Sequence, residues 1–216
     1  MEALKLADIR TDYTLATLDE GDVGDNPLAF FNKWLMEAEH AQLTEVNAMT
    51  LATVDVDNRP HARIVLLKGI EHESFQFYTN YESHKGRQLS QRRHAALVFF
   101  WKELERQVRI EGIVSELSPE ESDAYFNSRP KGSRVGAWAS PQSSTIASRE
   151  ILEERAQLFE AQYAESEVPR PSHWGGYGLK PLSIEFWQGR KSRMHDRILF
   201  ERENLESAWE KSRLAP

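Results

Sequence analysis

A chain of 216 residues (24.9 kDa), with 40% hydrophobic and 28% charged residues, 11 glycines, 9 prolines and a net charge of -7, can bury a core and is neither collagen-like nor compositionally disordered. The absence of cysteine excludes disulfides, thiolate nucleophiles and Cys-ligated zinc or iron–sulfur centres, so redox chemistry requires a bound cofactor. Residues 1–58 hold 3 Lys/Arg against 12 Asp/Glu, residues 59–134 hold 13 against 10 and residues 135–216 hold 11 against 12; a weakly positive middle argues against a nucleic-acid backbone and admits a small phosphate ester.

In chain order, residues 1–25 are acidic, with scattered apolar positions, and are expected to form a flexible N-terminal arm ahead of one domain over 26–216. No leader-like start and no run of about 18 apolar residues is present, so no membrane association and a cytoplasmic location are expected. Asn26-Pro27 forms an N-cap and N1 pair, and Phe30, Phe31, Trp34, Leu35 and Ala38 recur at helical spacing, predicting an amphipathic helix that ends near His40. From Ala48 the period becomes two, with a turn at Asp57-Asn58-Arg59-Pro60 before a second strand over His61–Lys68. Ser74–Thr79, Ala95–Trp101 and Gln107–Leu117 continue the strand pattern, with a short helix near Lys85–Gln91.

Ser118-Pro119-Glu120-Glu121 is a capping box with proline at N1, so a helix should run from Pro119 to about Asn127 and stop before Arg129-Pro130; Lys131-Gly132-Ser133 then reads as a loop. A further helix capped near Ser148 carries Ile151, Leu152, Leu158 and Phe159 on one face and should pack on the sheet. Gly175-Gly176-Tyr177-Gly178 reads as a bend. Leu182–Trp187, a turn containing Gly189 and Arg193–Phe200 read as a hairpin, with one more strand at Trp209–Leu214. Strands that follow one another, with helices between runs, predict a mainly β fold with flanking α-helices, closing as a barrel, and not a doubly wound parallel sheet. No dinucleotide fingerprint, P-loop, GxSxG, HExxH or HxH occurs, and no metal site is expected.

Three basic clusters could receive phosphate. Arg63 and Lys68 bracket an apolar run; five apart, they would face opposite sides of a regular strand. Ser83-His84-Lys85 sits at a helix start, where free N–H groups favour an anion. Tyr125 and Arg129 share a helical face beside Ser133. Two phosphate-type sites are compatible with one phosphorylated cofactor and one phosphorylated substrate. Arg193, His195 and Arg197 would emerge on one face of a strand, across the hairpin from Trp187 and Gln188.

The segment Ile184–Arg197 resembles the signature of the pyridoxamine 5'-phosphate oxidase family. The likeness extends to Arg63–Lys68 (RIVLLK), Glu105–Val108, Tyr125–Arg129 (YFNSR), Gly136-Ala137-Trp138, Gln142-Ser143-Ser144, Trp174-Gly175-Gly176 and Arg213–Pro216. The resemblance implies an FMN-binding split β-barrel whose C-terminal hairpin serves dimerisation and substrate, and a homodimer with FMN at the subunit interface. It implies oxidation of pyridoxamine 5'-phosphate and pyridoxine 5'-phosphate by O2, releasing H2O2 and, from the amine, ammonia. By the same analogy Arg63, Lys85, Ser143 and His84 hold the phosphate and ribityl region of FMN, while Ile64, Val65, Leu66, Leu67, Lys68, Tyr78, Thr79, Gln107, Gln142, Trp187 and Arg197 line the flavin. Lys68, Tyr125, Arg129 and Ser133 take the substrate phosphate, with Arg193 and His195 over the pyridine ring as the catalytic pair. Arg10 and Tyr13 correspond to substrate contacts on the arm. Two alternatives share these features: another FMN split-barrel oxidoreductase, or a non-catalytic flavin or RNA binder.

The family usually has arginine where this chain has His84, and a neutral imidazole cannot replace a bidentate guanidinium on phosphate. FMN affinity should therefore weaken with rising pH and His84→Arg should flatten that dependence in a fluorescence titration; matching profiles for the two proteins would refute the role.

Overall fold

A computed structural model describes residues 12–216, so residues 1–11 of the expected arm, with Arg10, lie outside the described residues. The chain forms two compact units, one of residues up to 48, 98–110 and 182–216, the other of 49–97 and 111–181. The elements in order are α1 (Pro27–His40), β1 (Ala48–Val54), β2 (Pro60–Leu66), β3 (Gly69–Glu71), β4 (Ser74–Asn80), α2 (His84–Gln91), β5 (His94–Trp101), β6 (Arg106–Glu116), α3 (Pro119–Ser128), α4 (Lys131–Ala139), α5 (Glu150–Gln162), β7 (Trp174–Gln188), β8 (Asp196–Glu201) and β9 (Glu210–Arg213). Strands pair in the order β2-β1-β5-β6-β7-β4-β3, with β8 on β7 and β9 on β8. The fold is mainly β with flanking helices, and among the described residues no helix is long and apolar enough to cross a membrane.

In the first unit, the Asn26 side chain caps α1 by accepting from the Leu28 and Ala29 amides at 3.0 and 3.1 Å. The aromatic stripe of α1 is core: Phe30 and Trp34 meet Phe186 of β7 edge-on at 4.8 and 5.4 Å, and Phe31 meets Phe99 at 5.0 Å. Arg106 stacks on Trp34 at 4.5 Å, pairs with Glu37 and donates to Gln188, whose buried amide donates in turn to the carbonyls of Leu104 and Glu105. Of residues 12–25, Leu18 and Val23 are buried, and Arg213 of β9 holds the segment through Asp19 at 3.1 Å and Glu20 at 2.7 Å. β8 pairs with β7 in the register Trp187↔Arg197 and Glu185↔Leu199.

In the second unit, Met49, Leu51 and Thr53 alternate inward along β1. The glycine-rich segment 175–178 is not a bend but part of β7, paired with β4 in the register Tyr78↔Gly176 and Thr79↔Gly175. Glycine is required because neighbouring rings lie over the strand: a Cβ at Gly175 would fall 2.0 Å from the Tyr81 hydroxyl and one at Gly176 2.7 Å from the Tyr78 ring. The expected loop at 131–133 is the first turn of α4, entered through Pro130, which fixes the backbone ahead of a helix without a side-chain cap. α5 does not pack on the sheet: Phe159 and Tyr163 meet Trp138 of α4 at 5.6 and 5.9 Å, leaving Leu158 62% exposed.

Phe186→Ala should cost about 3–5 kcal/mol of stability, because a fully buried ring packed against Phe30, Trp34 and Phe200 leaves a cavity that β7 cannot close. Chemical denaturation with an unchanged m-value checks this.

Candidate functional site

Within the second unit, one cleft of about 610 Å³ is lined by Arg63, Ile64, Val65, Leu66, Lys68, Tyr78, Thr79, Lys85, Tyr125, Arg129, Gln142 and Trp174. Four of these are cations and none is a carboxylate. Arg63 and Lys68 reach the same cleft because β2 ends at Leu66, so the alternation of a regular strand no longer separates them. Arg63 donates to the Leu51 carbonyl at 3.1 Å, the Thr53 hydroxyl at 2.5 Å and the Gln88 amide oxygen at 3.2 Å, all neutral acceptors. The Lys85 ammonium is placed by the first turn of α2, which Ser83 caps, and donates to Thr79, Ser83 and Gln142 at 3.1, 3.4 and 3.2 Å. Burial, aided by the charge of Arg63, depresses the Lys85 pKa to about 8.

Elsewhere in the lining, Tyr125 stacks on Tyr78 at 3.8 Å, and Tyr78 on Trp174 at 5.7 Å. Burial, with the nearby Glu121, pushes Tyr78 up to about 12, so its phenol stays neutral. Arg129, just past the last turn of α3, lies 4.7 Å over the Trp174 ring; burial lowers its pKa, and its Nη1 is buried with no hydrogen-bond partner. Among the described residues no ion pair to a carboxylate forms at Arg63, Lys68, Lys85 or Arg129. Lys68 is exposed, but for the half-buried Arg63, Lys85 and Arg129 the lack of a counter-ion is costly unless an anion arrives. The cleft therefore offers positive charge and flat aromatic walls, the chemistry that an anionic ligand carrying a ring would need.

Leu67 is buried and outside the cleft lining. His84 opens α2 and is exposed, Ser133 is exposed on α4, and Ser143 follows Gln142 in a turn with φ 72°; none lines the cleft. Gln107, Trp187, Arg193, His195 and Arg197 belong to the first unit. The expected row of Arg193, His195 and Arg197 along one strand does not form: Lys191–Arg193 is a 3-10 turn with positive φ at Ser192 and Arg193, and β8 starts only at Asp196. Ser192 and Arg193, both left-handed, break the extended backbone that alternation assumed. The His195 ring lies 4.5 Å from Trp187 and 5.9 Å from Tyr13. Burial and the Arg193 charge hold its pKa below the usual histidine range, against an opposing pull from Asp196. Arg197 donates to the buried Glu185 at 2.7 Å and to the Ala215 carbonyl at 2.8 Å, and Arg109 shares that carboxylate at 3.0 Å.

Sequence reasoning missed Trp174 as a wall, Thr53 and Gln88 as the seat of Arg63, and Glu185 as the partner of Arg197. Thr53 was signalled by a polar residue at an inward position of β1, and Glu185 by a carboxylate between Ile184 and Phe186 in an apolar strand.

Fold and cleft together define a split β-barrel protein with a cationic, aromatic-walled ligand site. A family model described as pyridoxamine 5'-phosphate oxidase matches residues 35–163, and one described as the pyridoxine 5'-phosphate oxidase C-terminal dimerisation region matches residues 174–216. Pyridoxine/pyridoxamine 5'-phosphate oxidases of Leptospira interrogans and Salinibacter ruber are 58% and 56% identical, each over 98% of this chain and 99% of the relative. The crystal structure of PhzG from Burkholderia lata, in complex with tetrahydrophenazine-1-carboxylic acid, superposes with a TM-score of 0.88 at 29% identity, covering 95% of this chain and 100% of PhzG. A pyridoxamine 5'-phosphate oxidase-related, FMN binding protein from Nostoc punctiforme shares the fold, with a TM-score of 0.69 at 19% identity over 86% of this chain and 97% of its own. The chain belongs to the pyridoxine/pyridoxamine 5'-phosphate oxidase family and is an oxidoreductase.

Below pH 8 the folded protein carries the Lys85 charge that burial opposes, and between about 8 and the unfolded lysine value the unfolded chain binds more protons, so this group adds stability as pH rises through that window. An anion reverses the balance. Lys85→Met should raise the Tm of the ligand-free chain and weaken binding of a phosphate ligand on the order of ten- to a hundredfold, as for a lost charged hydrogen bond, with wild-type affinity declining above pH 8. Calorimetry of both proteins across that range checks the pair of effects.

Proposed function

We propose that this protein is a homodimeric, FMN-dependent oxidase that converts pyridoxamine 5'-phosphate and pyridoxine 5'-phosphate to pyridoxal 5'-phosphate, with O2 as acceptor and H2O2 as by-product, the amine also releasing ammonia. The observation that carries this reading is the cleft with four cations, no carboxylate and a wall of stacked rings, in a chain of this family. A dimer is supported by the match of residues 174–216 to a dimerisation region.

Arg63 and Lys85 would hold the FMN phosphate, with His84 and Ser143 beside them, and Ile64–Lys68, Tyr78, Thr79, Gln107, Gln142, Trp187 and Arg197 would contact the rest of the cofactor. FMN, when bound, supplies the two-electron acceptor. Lys68, Tyr125, Arg129 and Ser133 would take the substrate phosphate, whose binding energy, remote from the reacting carbon, fixes the pose. Arg129 is suited to this: its Nη1 is an idle donor, and its plane is held on Trp174. Arg193 and His195 would cover the pyridine ring and exclude water. The pairing of Arg197 with Glu185 limits the net charge that this arginine offers the flavin. The much higher identity to the vitamin B6 phosphate oxidases than to PhzG favours the pyridoxine substrates.

The yellow holoprotein should bleach under anaerobic pyridoxamine 5'-phosphate and recover its colour in air with release of H2O2; a flavin that stays oxidised would end this reading. Arg129→Leu should keep its FMN but raise KM for pyridoxamine 5'-phosphate about ten- to a hundredfold, the loss of a charge-assisted bond.

A further inference from the structure

His195 is held in its turn by an unusual donor. The backbone N–H of Arg190 points at the imidazole Nδ1 at 3.0 Å. A backbone amide can only donate, so Nδ1 must carry a lone pair and the ring proton must sit on Nε2. We propose that the Arg190 main chain locks His195 as the neutral Nε2–H tautomer, so that His195 serves as a hydrogen-bond donor to an acceptor oxygen of the substrate and not as a proton-abstracting base. The donor role rests on the proposed function; the tautomer does not.

The turn is built to keep this bond. The Gly189 amide donates to the Glu105 carbonyl at 2.7 Å on one side, and on the other the Arg190 guanidinium reaches Asp196 at 3.2 Å. Asp196 also accepts from the Leu18 amide and from Arg213, each at 3.1 Å, so the residue after His195 is tied to both the N-terminal segment and β9. Trp187 and Tyr13 flank the ring, and a side chain at Gly189 would strike Tyr13, since its Cβ would lie 2.7 Å away. Among the described residues Nε2 has no partner, which leaves its proton for a ligand. The charged and titratable groups around the ring are Arg190, Arg193, Asp196 and Tyr13; burial and the Arg193 charge lower the His195 pKa, the same direction as the lone pair that the Arg190 amide requires. Arg190 is thus a positioning residue, acting through His195.

Long-range 1H–15N correlation of the 15N-histidine-labelled holoenzyme, with His195→Gln identifying the signal, reads the tautomer directly. The expected pattern is an unprotonated Nδ1 and a protonated Nε2, with the Nε2–H resonance shifting on addition of pyridoxal 5'-phosphate. An Nδ1–H tautomer, or an imidazolium at neutral pH, overturns the lock. Glutamine places an amide donor near the ε position and asparagine near the δ position. His195→Gln should therefore keep a KM for pyridoxamine 5'-phosphate at least tenfold lower than His195→Asn, with equal FMN content; equal or inverted values overturn the donor role. A wild-type holoenzyme that pyridoxamine 5'-phosphate cannot reduce would instead end the proposed function, while the NMR pattern would still judge the lock.

Discussion

The second unit is organised around cations that share a confined space without a counter-charge. Arg63 and Lys85 are seated on neutral oxygens only, Lys85 has lost part of its affinity for a proton, and Arg129 keeps a buried nitrogen without a partner. Such an arrangement is destabilising in an empty protein and becomes favourable only when an anion enters. The supporting structure serves this constraint: the Ser83 cap fixes the start of α2, Gln88 on its next turn steadies Arg63, and the end of β2 at Leu66 returns Lys68 to the same space.

The hairpin of the first unit follows a different principle. There, charges are paired: Glu185 with Arg109 and Arg197, Asp196 with Arg190 and Arg213. Paired charges give direction more than attraction, because the desolvation cost of burying them offsets most of the Coulomb gain. The cations of the second unit are left uncompensated and so favour an anion, whereas the hairpin of the first unit holds its side chains with compensated charges.

Local chemistry in the sequence was enough for α1, α2 and α3, where a cap, an N1 proline or a capping box sets the start, for the alternating strands β1, β5 and β6, and for β4, buried at nearly every position. It was misleading where tertiary contact overrides propensity. Three glycines within four residues suggest a bend, yet residues 175–178 are strand paired to β4, with Tyr81, Leu117, Tyr78 and Ser74 in the space of the absent side chains. The alternation of Arg193, His195 and Arg197 was legible as a pattern but not as a strand, since Ser192 and Arg193 take left-handed φ in a turn whose Gly189 amide is held by the Glu105 carbonyl, far off in sequence. Most of the cleft was visible as three basic clusters; that they converge, and that Trp174 closes them, is a property of strand pairing.

The bare stretch of β7 has a bearing on how this site can diverge. Since Leu117 and Tyr78 together fill the place of a side chain at 176, and Tyr125 rests on Tyr78, the spacing of the aromatic wall depends on missing atoms. Any larger residue there would press on Leu117 and on Tyr78, the middle of the stack, so the wall can be reshaped with less disturbance at Tyr125 than through the strand beneath.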